Sequence, residues 1–267
     1  MYRLQQVGDG EWRFIETQCV EASMSDLNKA LEIWEAGQDQ AAERLLRQII
    51  DRCPEHIDAL HHFALIMEDM GMNLEAYLME KEATDVGLEA LHGKFVFGKD
   101  KLEWGWLENR PFLRAYHGLA LVYQRRGDVR KALRIYENIL AMNPNDNQGV
   151  RCLAIECYFE LERPKDAIAL CEKFEGDVLP ETLYGKPLAL IQVGSMESAK
   201  KSLEKAISDL PLVAKELLKK RHAKPKQSFP GSILHGGADQ AYEYWHCSGG
   251  YWSKTPEAMK MLLEVIT

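Results

Sequence analysis

The chain has 267 residues, 46% of them hydrophobic and 28% charged, with a net charge of −8. That is a soluble globular profile, long enough for one large domain, two small ones or an elongated repeat array. With this acidic balance, general affinity for nucleic acid or anionic lipid is not expected. No apolar run approaches the roughly 20 residues of a membrane helix, and the polar start "MYRLQQVGDG" shows no signal-peptide core.

Residues 2–16, "YRLQQVGDGEWRFIE", place a Gly-Asp-Gly centre between Tyr2, Leu4, Val7, Trp12 and Phe14. The pattern predicts a short β-hairpin. Such a hairpin is marginal alone, so it folds over the first repeat or pairs with another chain. From residue 23 a pattern recurs: a glycine, an alanine five residues on, then an apolar run ending near a proline. It occurs as Gly37, Ala42 and Pro54, as Gly71 and Ala76, as Gly127, Ala132 and Pro144, and as Gly194, Ala199 and Pro211. Ala167 marks a further copy, with Glu162 at the glycine position. Ala42 and Ala76 are 34 residues apart. A 34-residue period with a helix–turn–helix pattern resembles the tetratricopeptide repeat, over roughly residues 23–213.

Packing explains the pattern. Small residues let two helices approach: Ala30, Ala64, Ala120 and Ala154 on first helices, and Ala42, Ala76, Ala132, Ala167 and Ala199 on second ones. Leu60, Phe63, Tyr116, Leu119, Tyr123 and Tyr136 fill the space around them at helical spacing. The expected fold is all-α: a tetratricopeptide-type solenoid of helical hairpins, about five repeats long, with a short N-terminal β-hairpin and a C-terminal capping helix pair. The expected segments are an N-terminal extension (1–22), repeats one and two (23–87), a connector with an extra helix (88–112), repeats three to five with a following helix (113–221) and capping helices (222–267).

The connector is set by spacing, since Gly71 and Gly127 lie 56 residues apart. "GKFVFGKDK" reads as a loop, and Asp100 with Glu103 forms a capping box for "KLEWGWLENR", an extra helix or an early extension of the next. Pro111 suits a helix start. Trp104 and Trp106 are expected to cover core. In "NPNDNQGVR", Pro144 closes a repeat and Asn145–Asn147 turn the chain and cap the next helix. A helix follows Pro211, its basic run from Lys215 to Lys226 reading as a solvated end. "QSFPGSILHGG" is a connector, and two helices follow, the second opening at Pro256. Tyr242, Tyr244, Trp245, Tyr251 and Trp252 read as the packing of the cap.

The six cysteines (Cys19, Cys53, Cys152, Cys157, Cys171 and Cys247) show no zinc-site spacing. They are expected as buried thiols in a reducing, cytoplasmic setting. No cofactor and no metal are expected. No motif carries catalysis. His61 and His62 are adjacent, about 100° apart on a helix, and so share no metal; His246 and Cys247 form only a dipeptide. No catalytic residue is assigned and no enzyme is expected.

The order of "ATDVGLEAL", "WLENRPFLRAYHGLA", "NPNDNQGVR", "YGKPLAL", "VAKELLKKR" and "DQAYEYWHCSGGYWSKTPEAM" resembles bacterial tetratricopeptide relatives of the suppressor-of-tumorigenicity-seven proteins, over about residues 45–262. That resemblance implies the fold and offers no reaction; the membrane spans of the eukaryotic relatives are absent from this sequence.

Binding suits stacked hairpins, whose first helices line a concave face. Repeat alignment places Asp58, His61, Leu65 and Glu68 there, then Arg114, His117, Leu121 and Gln124, then Gln148, Arg151, Ile155 and Tyr158, then Glu181, Tyr184 and Leu188. Such a groove suits a peptide or a helix of a protein partner. The carboxylate clamp of some tetratricopeptide proteins is not met, since His61 and His117 stand where it wants Lys, and Gly118 where it wants Asn or Lys; Arg114 and Arg151 either form a weaker anion site or each pair with a carboxylate of a neighbouring helix, the latter slightly favoured. The alternatives are a self-associating structural subunit and, more remotely, an enzyme using His61 or His117.

Overall fold

The computed structural model describes residues 2–226 and 231–266 and divides into two compact units, residues 1–150 and 151–267. In the first unit the N-terminal hairpin pairs β1 (Arg3–Gly8) with β2 (Glu11–Ile15) antiparallel, with a register irregularity between Gln6 and Gly8. Its apolar side is used internally. Phe14 is fully buried against Phe112, at 5.4 Å between ring centroids, and Tyr2 meets Phe14 edge-on at 5.7 Å. The hairpin therefore folds onto its own chain.

Three helical hairpins follow: α1 (Gln18–Glu35) with α2 (Asp39–Arg52), α3 (Ile57–Asp69) with α4 (Asn73–Leu91), and α5 (Arg110–Arg125) with α6 (Val129–Met142). The second unit continues from α7 (Val150–Glu160), which opens at the boundary, with α8 (Pro164–Lys173), α9 (Pro180–Gln192), α10 (Met196–Asp209) and a short α11 (Pro211–Leu217). The pair α12 (Ala238–Ser253) and α13 (Pro256–Ile266) closes the chain as expected. The nine alanines selected by the repeat pattern are all buried, none more than 3% exposed. Helix-ending glycines stand in the left-handed region, as at Gly71 (φ 77°). Glu162 takes the same conformation at φ 55°, although it has a side chain.

The connector departs from expectation. There is no extra helix over residues 101–106; of the two alternatives the structure keeps the early extension, a single 3-10 turn, Leu107–Asn109, that runs directly into α5 at Arg110. Lys101 instead runs beside the hairpin tip, donating from its N–H to the Gly10 carbonyl (2.7 Å) and accepting from the Trp12 N–H (3.0 Å). Asp100 caps no helix; its carboxylate accepts from the Val96 N–H (2.8 Å) and closes its own loop. Asn109, fully buried, accepts from the Phe14 N–H (3.0 Å) and donates to the carbonyls of Trp12 (3.1 Å) and Glu103 (3.0 Å). These bonds satisfy backbone groups that a helix would have paired internally. Trp104 and Trp106 carry the guanidinium groups of Arg110 and Arg13 on their faces, and Trp106 remains exposed.

The cysteines are a second correction. Cys19, near the start of α1, and Cys53, just after α2, form a disulfide with Cα atoms 5.7 Å apart. An antiparallel helical hairpin brings its two ends together, so residues 34 apart in sequence meet in space. Four cysteines, not six, remain free, and the thiol argument for a reducing compartment weakens accordingly. Of the "QSFPGSILHGG" connector, residues 227–230 lie outside the described residues.

In the second unit the aromatics of α12 build a core with α9. Tyr184 is fully buried and donates to the Leu210 carbonyl (2.7 Å), while Trp252 Nε1 donates to the Tyr244 hydroxyl (2.9 Å). Beyond α11 the basic run has partners: His222 stacks on Trp245 at 3.5 Å and meets Glu216 at 2.9 Å, and Lys224 lies 3.4 Å from Glu243.

Candidate functional site

The expected groove residues of the first unit are mostly occupied with one another. Arg114 donates through Nη2 to both carboxylate oxygens of Asp58, at 2.7 and 2.8 Å, and Asp58 is only 8% exposed. His61 Nδ1 stands 2.9 Å from both oxygens of Glu80, a residue on α4 that is 2% exposed. Burial raises the Glu80 carboxyl, opposed by the His61 hydrogen bond. The carboxylate lies against the backbone of α5, where a Cβ added at Gly118 would come within 1.5 Å of Glu80 Oε1. Gly118 thus stands where it does because Glu80 needs the space.

His117 and Gln148 continue the network. Gln148 donates to the Leu113 carbonyl (3.1 Å) and approaches His117 Nδ1 at 3.5 Å, at the limit of a hydrogen bond. Burial, with His61 nearby, pushes His117 down to about 4, so the ring is neutral at physiological pH. Gln124 accepts from the Tyr136 hydroxyl (2.8 Å). The turn expected at Asn145–Asn147 is carried by Asp146, at φ 47°, whose carboxylate accepts from the Val150 N–H (2.8 Å) and caps α7.

The second unit repeats the lesson. Arg151 grips Asp177 through Nε (2.7 Å) and Nη2 (3.0 Å) and lies over Phe174. That pair is nearly closed to solvent, and Thr182 also donates to Asp177 (2.7 Å). The hydrogen bonds hold the Asp177 carboxyl down against the upward push of burial. Tyr158 is 8% exposed beneath Arg163, and Tyr184 is closed to solvent entirely. Asp58, His61, Arg151, Tyr158 and Tyr184 therefore build the framework rather than an open surface.

Further along α3 and α5 the surface is open. Leu65, Glu68, Leu121 and Arg125, with Trp34 of α1, line a cavity of about 230 Å³ floored by Glu80 and Gly118. Arg125 and Glu68 pair across its mouth at 2.7 Å. Leu65, Glu68 and Leu121 stand at aligned repeat positions. Trp34 and Glu80 carry no sequence signal of their own, although a glycine inside a helix, such as Gly118, marks a close approach.

The thiols show no activation. Burial pushes Cys157 and Cys171 up to about 12 and Cys247 to about 11, and raises Cys152 further. Among the described residues no group of His, Cys, Asp and Glu has the arrangement of a metal site, and no helix is long and apolar enough to cross a membrane.

Comparison with known proteins adds a family and a fold. The family described as "Transcriptional repressor TCF25" matches residues 30–249. This differs from the suppressor-of-tumorigenicity-seven family that the motif order resembles. The "Probable transcription factor claV" of Ampulloclitocybe clavipes is 31% identical over 108 residues, covering 38% of this chain and 13% of that protein. The chain thus spans a small part of that relative's length. Among solved structures, a tetratricopeptide repeat protein from Parabacteroides merdae is similar with a TM-score of 0.54 at 18% identity, covering 94% of this chain and 80% of that one. YrrB, described as a TPR protein with an unusual peptide-binding site, gives 0.53 at 15% identity, covering 73% and 93%. These likenesses show the tetratricopeptide-like fold.

Proposed function

Because the chain belongs to the family of the transcriptional repressor TCF25, we propose that it is a non-catalytic interaction scaffold that holds a protein partner of a repressor assembly. The observation that carries the reading is the cavity lined by Leu65, Glu68, Leu121 and Arg125. Apolar walls flanked by charges suit a partner's helix or extended segment, with the leucines supplying affinity and Glu68 and Arg125 selectivity. The peptide-binding site in YrrB's description supports a peptide as the class of ligand. Scaffolding also suits the raised thiols and the neutral His117, which lack the activation a reaction would need. Affinity capture from cell extract tests the reading, with the intact chain beside a Leu65→Glu/Leu121→Glu variant of unchanged circular dichroism. A partner held by the first and lost by the second is expected. Equal capture by both removes the cavity from the function.

A further inference from the structure

The cavity at Leu65 and Leu121 is unbalanced in charge. Its lining carries the acids Glu68, Asp69 and Glu80 against one cation, Arg125. Two of the acids are already answered. Glu68 pairs with Arg125 at 2.7 Å, and Glu80 lies 2.9 Å from His61. Asp69 is exposed on the lining and has no ion pair among the described residues. One open carboxylate is therefore left over, and Arg125 is not free to answer it.

The backbone adds charge of the same sign. Asp69 is the last residue of α3, and Trp34 stands in the last turn of α1, so two helix C-termini meet at this cavity. Neither helix has a basic residue in its last turn to offset the negative end of its dipole. Trp34 brings an aromatic ring to the lining, and the face of such a ring attracts cations. Leu65 and Leu121 supply the apolar wall that the stem of a long basic side chain covers. At about 230 Å³ the cavity is smaller than the roughly 300 Å³ at which small-molecule pockets begin. It has room for one side chain.

We propose that the partner segment docking here enters the cavity with a lysine or arginine side chain, its stem along Leu65 and Leu121 and its cationic head between Asp69 and Trp34. This rests on the cavity being the partner site, and it adds the charge of what enters. An acidic residue in the same place would meet Asp69 and two negative helix ends, so the cavity selects against acidic segments as well as for basic ones.

Selection from a displayed library of random dodecapeptides on the full chain tests this, keeping the peptides that Leu65→Glu/Leu121→Glu no longer binds. Those peptides are expected to share a lysine or arginine. Replacing that residue with glutamine should weaken binding at least about tenfold by calorimetry. Asp69→Asn, at an exposed helix end where folding is unaffected by circular dichroism, should remove most of the difference between the basic and glutamine peptides. Three results each overturn the proposal while leaving the cavity as the partner site: leucine-dependent peptides with no shared basic residue, equal affinity of the glutamine peptide, or an unchanged difference in Asp69→Asn. The absence of any leucine-dependent peptide overturns both readings together.

Discussion

The Glu80 carboxylate occupies the volume that any side chain at Gly118 would require, with Oε1 only 1.5 Å from where a Cβ would stand. The smallest substitution therefore forces the buried acid to move and lengthens its bonds to His61. Gly118→Ala should destabilise the fold by about 2 kcal/mol or more, even though alanine is the better helix former. Urea denaturation measures this. In Glu80→Ala the obstacle is gone, so adding Gly118→Ala to that background should cost far less. Additive costs in the double variant would show that the two residues do not share the space.

Acid sensitivity follows from His117. Its folded pKa, about 4, lies below the ordinary 6.5. Between those values the unfolded chain binds a proton that the folded chain does not. Stability therefore falls as pH drops through 6.5 and levels off below 4. Lowering the pH from 7 to 5 should cost the wild type about 2 kcal/mol more than it costs His117→Gln. Denaturant titrations at the two pH values, compared between the two proteins, isolate this residue from His56 and His62, whose pKa values are lowered in the same sense.

Glu162 stands at φ 55°, exposed, where the other repeats use glycine. A side chain in that conformation costs about 1 kcal/mol. Glu162→Gly should raise stability by up to that amount, less the entropy glycine adds to the unfolded chain. A thermal melt of the two proteins gives the sign directly; a lower melting temperature in the variant would mean that Glu162 contributes a favourable contact.

The Cys19–Cys53 bond predicts a thiol count. Denatured but unreduced protein should take up four alkyl groups and reduced protein six, read by mass spectrometry. Opening the bond frees a 34-residue span, so Cys19→Ser/Cys53→Ser should lose about 3–4 kcal/mol on the chain-entropy account. Six labels without reduction would restore the reading of these residues as thiols.

Much of the architecture was legible because its determinants are local and repeated. Alanine pairs such as Ala30 and Ala64, Ala42 and Ala76, and Ala120 and Ala154 recur 34 residues apart, with helix-ending glycines and prolines at matching places around them, and each reports a packing or backbone requirement in place. Segments whose partners lie far away were not legible. "KLEWGWLENR" has the look of a capped helix, but Lys101 bonds to the hairpin 90 residues earlier, and no local pattern announces that competition. The groove shows the same limit. Repeat alignment finds which side of a helix Asp58, His61 and Arg114 occupy. That Arg114 and Arg151 each pair with a carboxylate is the reading slightly favoured over an anion site; which acid each one takes, and that Glu80 engages His61, is not legible, because partner choice depends on tertiary distances. The cysteine pair escaped notice because no cysteine motif marks the two ends of a helical hairpin.

Asn109 joins Phe14, Trp12 and Glu103 through one buried side chain. During synthesis this makes the hairpin wait for an anchor that is made well after it. The strands of residues 3–15 cannot acquire their anchor until residue 109 has emerged, and at about 5–20 residues per second that is an interval of several seconds. For that time Tyr2 and Phe14 have no core to enter, since Phe112 emerges later still. The nascent chain thus carries an unsatisfied apolar hairpin through the folding of its first two repeats, the natural window for a chaperone to hold it.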